Sequence, residues 1–203
     1  MNIPSRDFYD RPAEEVAPDL LGMLLVRRLD GVDRIGRIVE TEAYLGSHDL
    51  AAHSSRGRTA RTEAMFGLPG HAYVYLIYGV YNCLNVVTGP GERASAVLIR
   101  ALEPISGIDE ATNGPGRLCR ALRIDRSLYG HDLLGGELYI AHPEGPQPPF
   151  EIAAGPRIGV DYAGDWAHKP YRFTIAGNPH LSRREKLGRG EGRGRRGGEM
   201  GSE

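Results

Sequence analysis

The chain has 203 residues with 40% hydrophobic composition, which suits one domain with a sizeable core. It contains no run approaching the roughly 20 apolar residues of a membrane span, and its polar opening MNIPSRDFYD lacks the basic and apolar regions of a secretory signal. The expectation is a cytoplasmic protein with no membrane partner. Two distant cysteines, Cys83 and Cys119, exclude a disulfide framework and a CxxC motif, and are expected to be buried small hydrophobes.

The formal net charge of −1 is unevenly spread: residues 183–203 hold seven Lys and Arg against four acids, leaving 18 basic and 22 acidic residues ahead of them. A polyanionic partner of that acidic body needs its cations gathered on one face. The segment 183–203 is rich in Gly, Arg and Glu and too poor in apolar groups to offset its ordering entropy. It is expected to be a disordered tail, its arginines either touching phosphates or idle, behind a domain spanning residues 1–182.

In chain order, Pro12 can open a helix with Val16, Leu20 and Leu21 on one side, closed by Gly22. Residues 23–29 read as a strand, Asp30-Gly31 as a hairpin turn, and Ile35–Tyr44 as a second strand. Leu45–Gly70 lacks periodicity and reads as a long loop with one short helix, a length usually kept for function. Residues 72–89, dense in aromatic and β-branched side chains, form a hairpin turning near Tyr78-Gly79. Another strand covers 94–102. Gly114-Pro115-Gly116 leads into a helix over RLCRALRI, and short strands are expected near Leu138–Ala141, Ile158–Asp161 and Tyr171–Ile175. The fold class is α+β, one domain built on a mostly antiparallel sheet.

Spacing of two puts Glu40, Glu42 and Tyr44 on one strand face. The two carboxylates read as an acid/base pair or, favoured on spacing alone, a solvated edge. His48, Asp49 and His53 with Glu42 suggest metal ligands, but histidines five apart splay on a helix, so no metal is expected. His53 otherwise reads as a core histidine. Tyr73, Tyr75 and Tyr81 suit a packed sheet face, whereas Tyr78 at a hairpin tip has little to pack against and has the form of a base-stack wedge. With only Lys169 and Lys186 in the chain, lysine Schiff-base chemistry is poorly supported.

The blocks RIVETEAYLG (37–46), AAHSSRGR (51–58), MFGLPGHAYVYLIYGVYNCLNV (65–86), VLIRALEP (97–104), GPGRLCRAL (114–122) and IGVDYAGDWAHKPYRF (158–173) together resemble the alkyladenine (3-methyladenine) DNA glycosylase family. The resemblance implies a curved sheet with a protruding hairpin that enters the DNA minor groove, and hydrolysis of the N-glycosidic bond of a flipped, damaged purine. It implies Glu42 as general base, and Tyr44, His53 and Tyr75 as walls around the base. Asn85 falls on the pocket floor, Ile158 is a contact on the base, and Tyr78 is the intercalating residue. Arg100 and Arg117 are nucleotide or DNA contacts. Position 117 departs from the lysine of vertebrate members, and the segment between Glu103 and Gly114 is shorter than theirs. The implied partner is double-stranded DNA with a damaged base, bound by a monomer without cofactor. The implied substrates are 3-methyladenine, 7-methylguanine, hypoxanthine and ethenoadenine. The alternatives are a damage-binding module without catalysis and a metal-dependent hydrolase built on Glu42, His48 and His53.

Overall fold

The computed structural model describes residues 1–89 and 91–183, so the expected tail lies outside the described residues apart from Arg183. Short helices α1 (Arg6–Tyr9) and α2 (Ala13–Asp19) precede β1 (Leu24–Leu29) and the long β2 (Val32–Tyr44). The hairpin β3 (Ala72–Ile77) and β4 (Tyr81–Thr88) leads to β5 (Ser95–Ser106), α3 (Pro115–Ala121), and the short strands β6 (Leu134–Gly135), β7 (Leu138–Ala141), β8 (Ile152–Gly155) and β9 (Arg172–Ile175). These strands form one curled antiparallel sheet in the order β3-β4-β5-β2-β1-β7-β6, with β9 joining β2 and β8. The α+β class is as expected.

Local chemistry explains the turns. Leu29 pairs with Val32 across Asp30 and Gly31, whose φ of 54° and 74° is the double left-handed geometry that two-residue hairpins need. Residues 45–70 form no strand but carry two single-turn 3₁₀ helices, His53–Arg56 and Glu63–Phe66, one more than expected.

Two features of β2 position everything that follows. Its outer edge is shared, with β1 along residues 32–37 and β9 along Glu40–Glu42, while β5 runs the other edge. Register shifts between Ile38 and Glu40 and again between Glu40 and Thr41 mark a bulge. Ile38 and Val39 both join the core, and Thr41 and Ala43 then face the helices, the Thr41 hydroxyl donating to the Ala17 carbonyl at 2.8 Å. Glu40, Glu42 and Tyr44 are thereby sent to the opposite face. In an unbroken strand Ile38 would share that face with them.

The sheet buries its two faces differently. Val74, Leu84, Val86, Val97 and Ile99 pack under Val16 and Ala17 of α2, Leu118 of α3 and Leu122 just after it. Each such side chain contributes roughly 1.5–3 kcal/mol on burial. Their strand neighbours point the other way and build the site. Cys83 and Cys119 are free and buried, as expected.

One expectation fails: Ile158–Asp161 is not a strand but a turn running into the 3₁₀ segment Asp161–His168. The backbone N–H of Ile158 goes to a carboxylate instead of a ladder partner. The strand preceding it, β8, lies at Ile152–Gly155, where small residues conceal the pattern.

Candidate active site

On the face away from the helices, alternate residues of three strands line a cavity of about 330 Å³. Tyr73 and Tyr75 come from β3, Cys83 and Asn85 from β4, and Leu98 and Arg100 from β5. Tyr44, His53, Ile158 and Tyr162 close it from the strand end and the two long loops. The volume sits at the lower end of the roughly 300–1,000 Å³ typical of small-ligand sites.

Glu42 lies directly behind this wall with none of its surface exposed. Its carboxylate accepts from the Ile158 N–H at 2.7 Å on one oxygen, and from the Tyr44 hydroxyl at 2.9 Å and Arg100 Nη1 at 3.2 Å on the other. Glu40 is equally buried, so the solvated-edge reading of these two carboxylates is wrong. Its cause lies in the shared edge of β2: β5 delivers Arg100 from one side and β9 delivers Arg172 from the other, supplying the cations that a buried carboxylate requires. Burial and then the nearby Glu42 charge push the Tyr44 phenol well above its ordinary pKa, so it stays protonated and donates.

His53 and Tyr75 stand edge to face, ring centroids 4.5 Å apart, and His53 Nδ1 lies 2.9 Å from the Tyr73 hydroxyl. Burial chiefly, and then Arg61 and Arg56, hold the His53 pKa down to about 4. The ring is therefore neutral at pH 7. Because the unfolded histidine binds its proton near pH 6.5, His53 stabilises the fold fully above that pH, and the stabilisation is lost as pH falls toward 4. Urea midpoints between pH 7 and pH 4 are expected to fall less steeply in His53→Phe than in the wild type. Equal slopes would remove His53 as the source.

Asn85 is buried and donates from Nδ2 to the Tyr73 carbonyl at 3.1 Å, which fixes its amide against the cavity floor. Arg117 is not at the cavity. It is exposed on the first turn of α3, bonded to Asn113 at 2.9 Å and two residues from the cavity-lining Pro115.

At the hairpin tip Tyr78 is 87% exposed and has φ of 53°. With Gly79 at 69° and Val80 N–H donating to the Ile77 carbonyl at 3.2 Å, it makes a tight turn with two left-handed residues.

Arg157 and Tyr162 were not singled out in the sequence, and Asp49 was considered there only as a metal ligand. Asp49 and Arg157, side chains wholly buried, form a two-pronged ion pair joining the loops on either side of the cavity. The Arg157 guanidinium also lies 4.8 Å from the Tyr44 ring centre and 5.4 Å from that of Tyr171. Tyr162, 64% exposed, covers the mouth with its hydroxyl on the Ala51 carbonyl. No local pattern announces these contacts, which join residues 108 and 111 positions apart in the chain. His48, set against Trp166, is not gathered with His53 and Glu42, and among the described residues no group of three or more His, Cys, Asp or Glu could hold a metal ion. No described helix is long and apolar enough to cross a membrane.

The cavity thus offers aromatic faces on which a planar ring can stack, with the buried Arg100 in its lining and the buried Glu42 behind it. Comparison with known proteins makes the class definite. A family described as methylpurine-DNA glycosylase (MPG) matches residues 7–179. A protein of Legionella pneumophila (strain Lens) is 56% identical over 179 residues, covering 88% of this chain and 97% of its own. One of Myxococcus xanthus (strain DK1622) is 50% identical over 191 residues, covering 93% and 98%. One of Methanocella arvoryzae is 52% identical over 198 residues, covering 91% and 98%. All three carry the name "Putative 3-methyladenine DNA glycosylase". The chain belongs to the methylpurine-DNA glycosylase family and is a hydrolase of N-glycosyl bonds.

Proposed function

We propose that the protein extrudes an alkylated or otherwise damaged purine from duplex DNA into the aromatic cavity and hydrolyses its bond to the sugar with a water activated by Glu42. The observation that carries this reading is the Glu42 carboxylate, buried against the cavity wall and held by donors from Tyr44, Arg100 and Ile158. A carboxylate offers about four acceptor positions. Three are taken here, one on Oε1 and two on Oε2, which leaves one position on Oε1 for a water. Glu42 takes a proton from that water as the glycosidic bond breaks and the sugar gains oxocarbenium character.

Purines alkylated on a ring nitrogen, such as 3-methyladenine and 7-methylguanine, are cationic, good leaving groups and good partners for aromatic faces. Tyr44, Tyr75 and a neutral His53 supply those faces without an opposing charge. Ile158 packs on the base, and Asn85 reads its edge from the floor. Arg100 holds Glu42 beside the nucleotide, and Arg117 with the neighbouring surface arginines meets phosphate. No metal or organic cofactor takes part, and the protein acts on chromosomal DNA as a cytoplasmic monomer.

Tyr78 fills the gap in the stack. A non-glycine residue in left-handed geometry costs about 1–2 kcal/mol, and an exposed aromatic kept there without packing is strain held for use. Tyr78→Gly is therefore expected to raise Tm slightly or leave it unchanged while lowering the flipped fraction of a fluorescent reporter base. A flipped fraction equal to wild type would end this assignment.

The direct test is release of free base from duplexes that each carry one lesion, with strand integrity followed in parallel. Lesion-specific release from intact strands supports the reading. Tight lesion binding with no release would instead identify a damage-binding module.

A further inference from the structure

We propose that Glu40, Arg172 and Ser182 are positioning residues for Arg100, and through it for Glu42, so that the C-terminal end of the described chain takes part in bond cleavage. The inference rests on the reading of Glu42 as the base.

Glu40 and its surroundings are more elaborate than charge neutralisation needs. Its buried carboxylate accepts from Arg100 Nε at 3.3 Å, Arg172 Nη1 at 3.1 Å, the Ser182 N–H at 2.7 Å and the Ser182 hydroxyl at 2.8 Å. The same Ser182 hydroxyl oxygen accepts from Arg100 Nη2 at 3.4 Å. The three nitrogens of Arg100 are thus divided: Nε to Glu40, Nη2 to Ser182, and Nη1 to Glu42. A guanidinium is a rigid planar fork, so holding two of its nitrogens fixes the direction of the third.

Arg100 approaches Glu42 through one nitrogen although arginine and carboxylate prefer two parallel bonds. Glu40 and Ser182 withhold the other nitrogens. Released from them, Arg100 would turn to grip Glu42 with both prongs and occupy the acceptor position needed by water. Arg172 bears on the other oxygen of Glu42 only indirectly, through the loop that carries Ile158. Its Nε donates to the Pro156 carbonyl at 3.1 Å, two residues before the Ile158 N–H that caps Glu42. Glu40 thereby anchors both groups that converge on Glu42, one from β5 and one from the 156–158 loop.

Ser182 is the member to change, since it is only partly buried and Glu40→Gln risks the fold. In the full-length protein, Ser182→Ala removes the hydroxyl while keeping the backbone donor. Single-turnover base release from a lesion duplex is expected to fall about tenfold, short of the roughly hundredfold that a 1 Å misplacement of a reacting group can cost. Lesion-duplex Kd and Tm should stay at wild-type values, and Ser182→Thr should restore most of the rate. Wild-type release by Ser182→Ala would overturn the proposal. A loss shared equally by Ser182→Thr, or one accounted for by weaker binding, would do the same. Glu42→Gln run beside these variants separates the two claims. If it releases base normally, the base assignment has failed; if it is inactive and Ser182→Ala is not impaired, only the positioning device has.

Discussion

Glu42→Gln is expected to bind lesion duplex nearly as well as wild type and to release base roughly 10²–10⁴-fold more slowly, the range that positioned proton transfer contributes. The substitution preserves shape and places an amide where a carboxylate accepts from three donors. One amide end must then face a donor. The less costly orientation turns the NH₂ toward the single Ile158 N–H and leaves the carbonyl to Tyr44 and Arg100. An opposed buried donor pair costs about 1–3 kcal/mol, so a modest fall in Tm should accompany the kinetic loss. Since the stability effect is small and the chemical effect large, measuring both on the same preparation distinguishes a missing base from a damaged fold. Release at the wild-type rate would falsify the role of Glu42 outright.

Asp49→Ala should be the most damaging single change to stability that also reaches the site. Asp49 binds Arg157 through both oxygens and caps the N–H groups of Leu45 and Ala51 at 3.1 and 3.0 Å. Removing it strands a guanidinium whose side chain has 0% exposure. Breaking a buried pair from one side costs about 3–5 kcal/mol, a large part of the roughly 5–15 kcal/mol that holds a domain together. At about 2–4 °C per kcal/mol for a chain of this size, Tm should fall by about 6–20 °C. The pocket should loosen too, because Arg157 backs the Tyr44 ring and immediately precedes Ile158. Asp49→Leu combined with Arg157→Met should recover much of the Tm, since neither charge is then left buried alone, without recovering base release. A double variant no more stable than Asp49→Ala would show that the hydrogen bonds to Leu45, Ala51, Ala43 and Trp166, and not the charge pair, carry the stability.

Local periodicity accounts for what could be read without coordinates. That Glu40, Glu42 and Tyr44 share a face was visible because side chains in a strand change face at every residue, a rule that needs no partner. The β3–β4 hairpin was visible in its aromatic and β-branched density. The turns at Asp30-Gly31 and Tyr78-Gly79 were visible because few residues besides glycine, asparagine and aspartate tolerate a positive φ. The blocks quoted for the resemblance placed Glu42, Tyr44, His53, Tyr75, Asn85, Arg100 and Ile158 together, and the structure gathers these seven around or behind one cavity. Arg117, expected at DNA and not in the pocket, stands outside on α3.

Tertiary structure alone decided the environment of the two carboxylates. Whether Glu40 and Glu42 meet water or arginine depends on which strands flank β2, and on a bulge that shifts its faces after Ile38. Those contacts join residues far apart in the chain: 58 positions separate Glu42 from Arg100, 108 separate Asp49 from Arg157, and 142 separate Glu40 from Ser182. No spacing rule reaches so far. A carboxylate is the same letter in the sequence whether it ends in solvent or in the core, and only the packed fold determines whether its partner is a water molecule or a guanidinium.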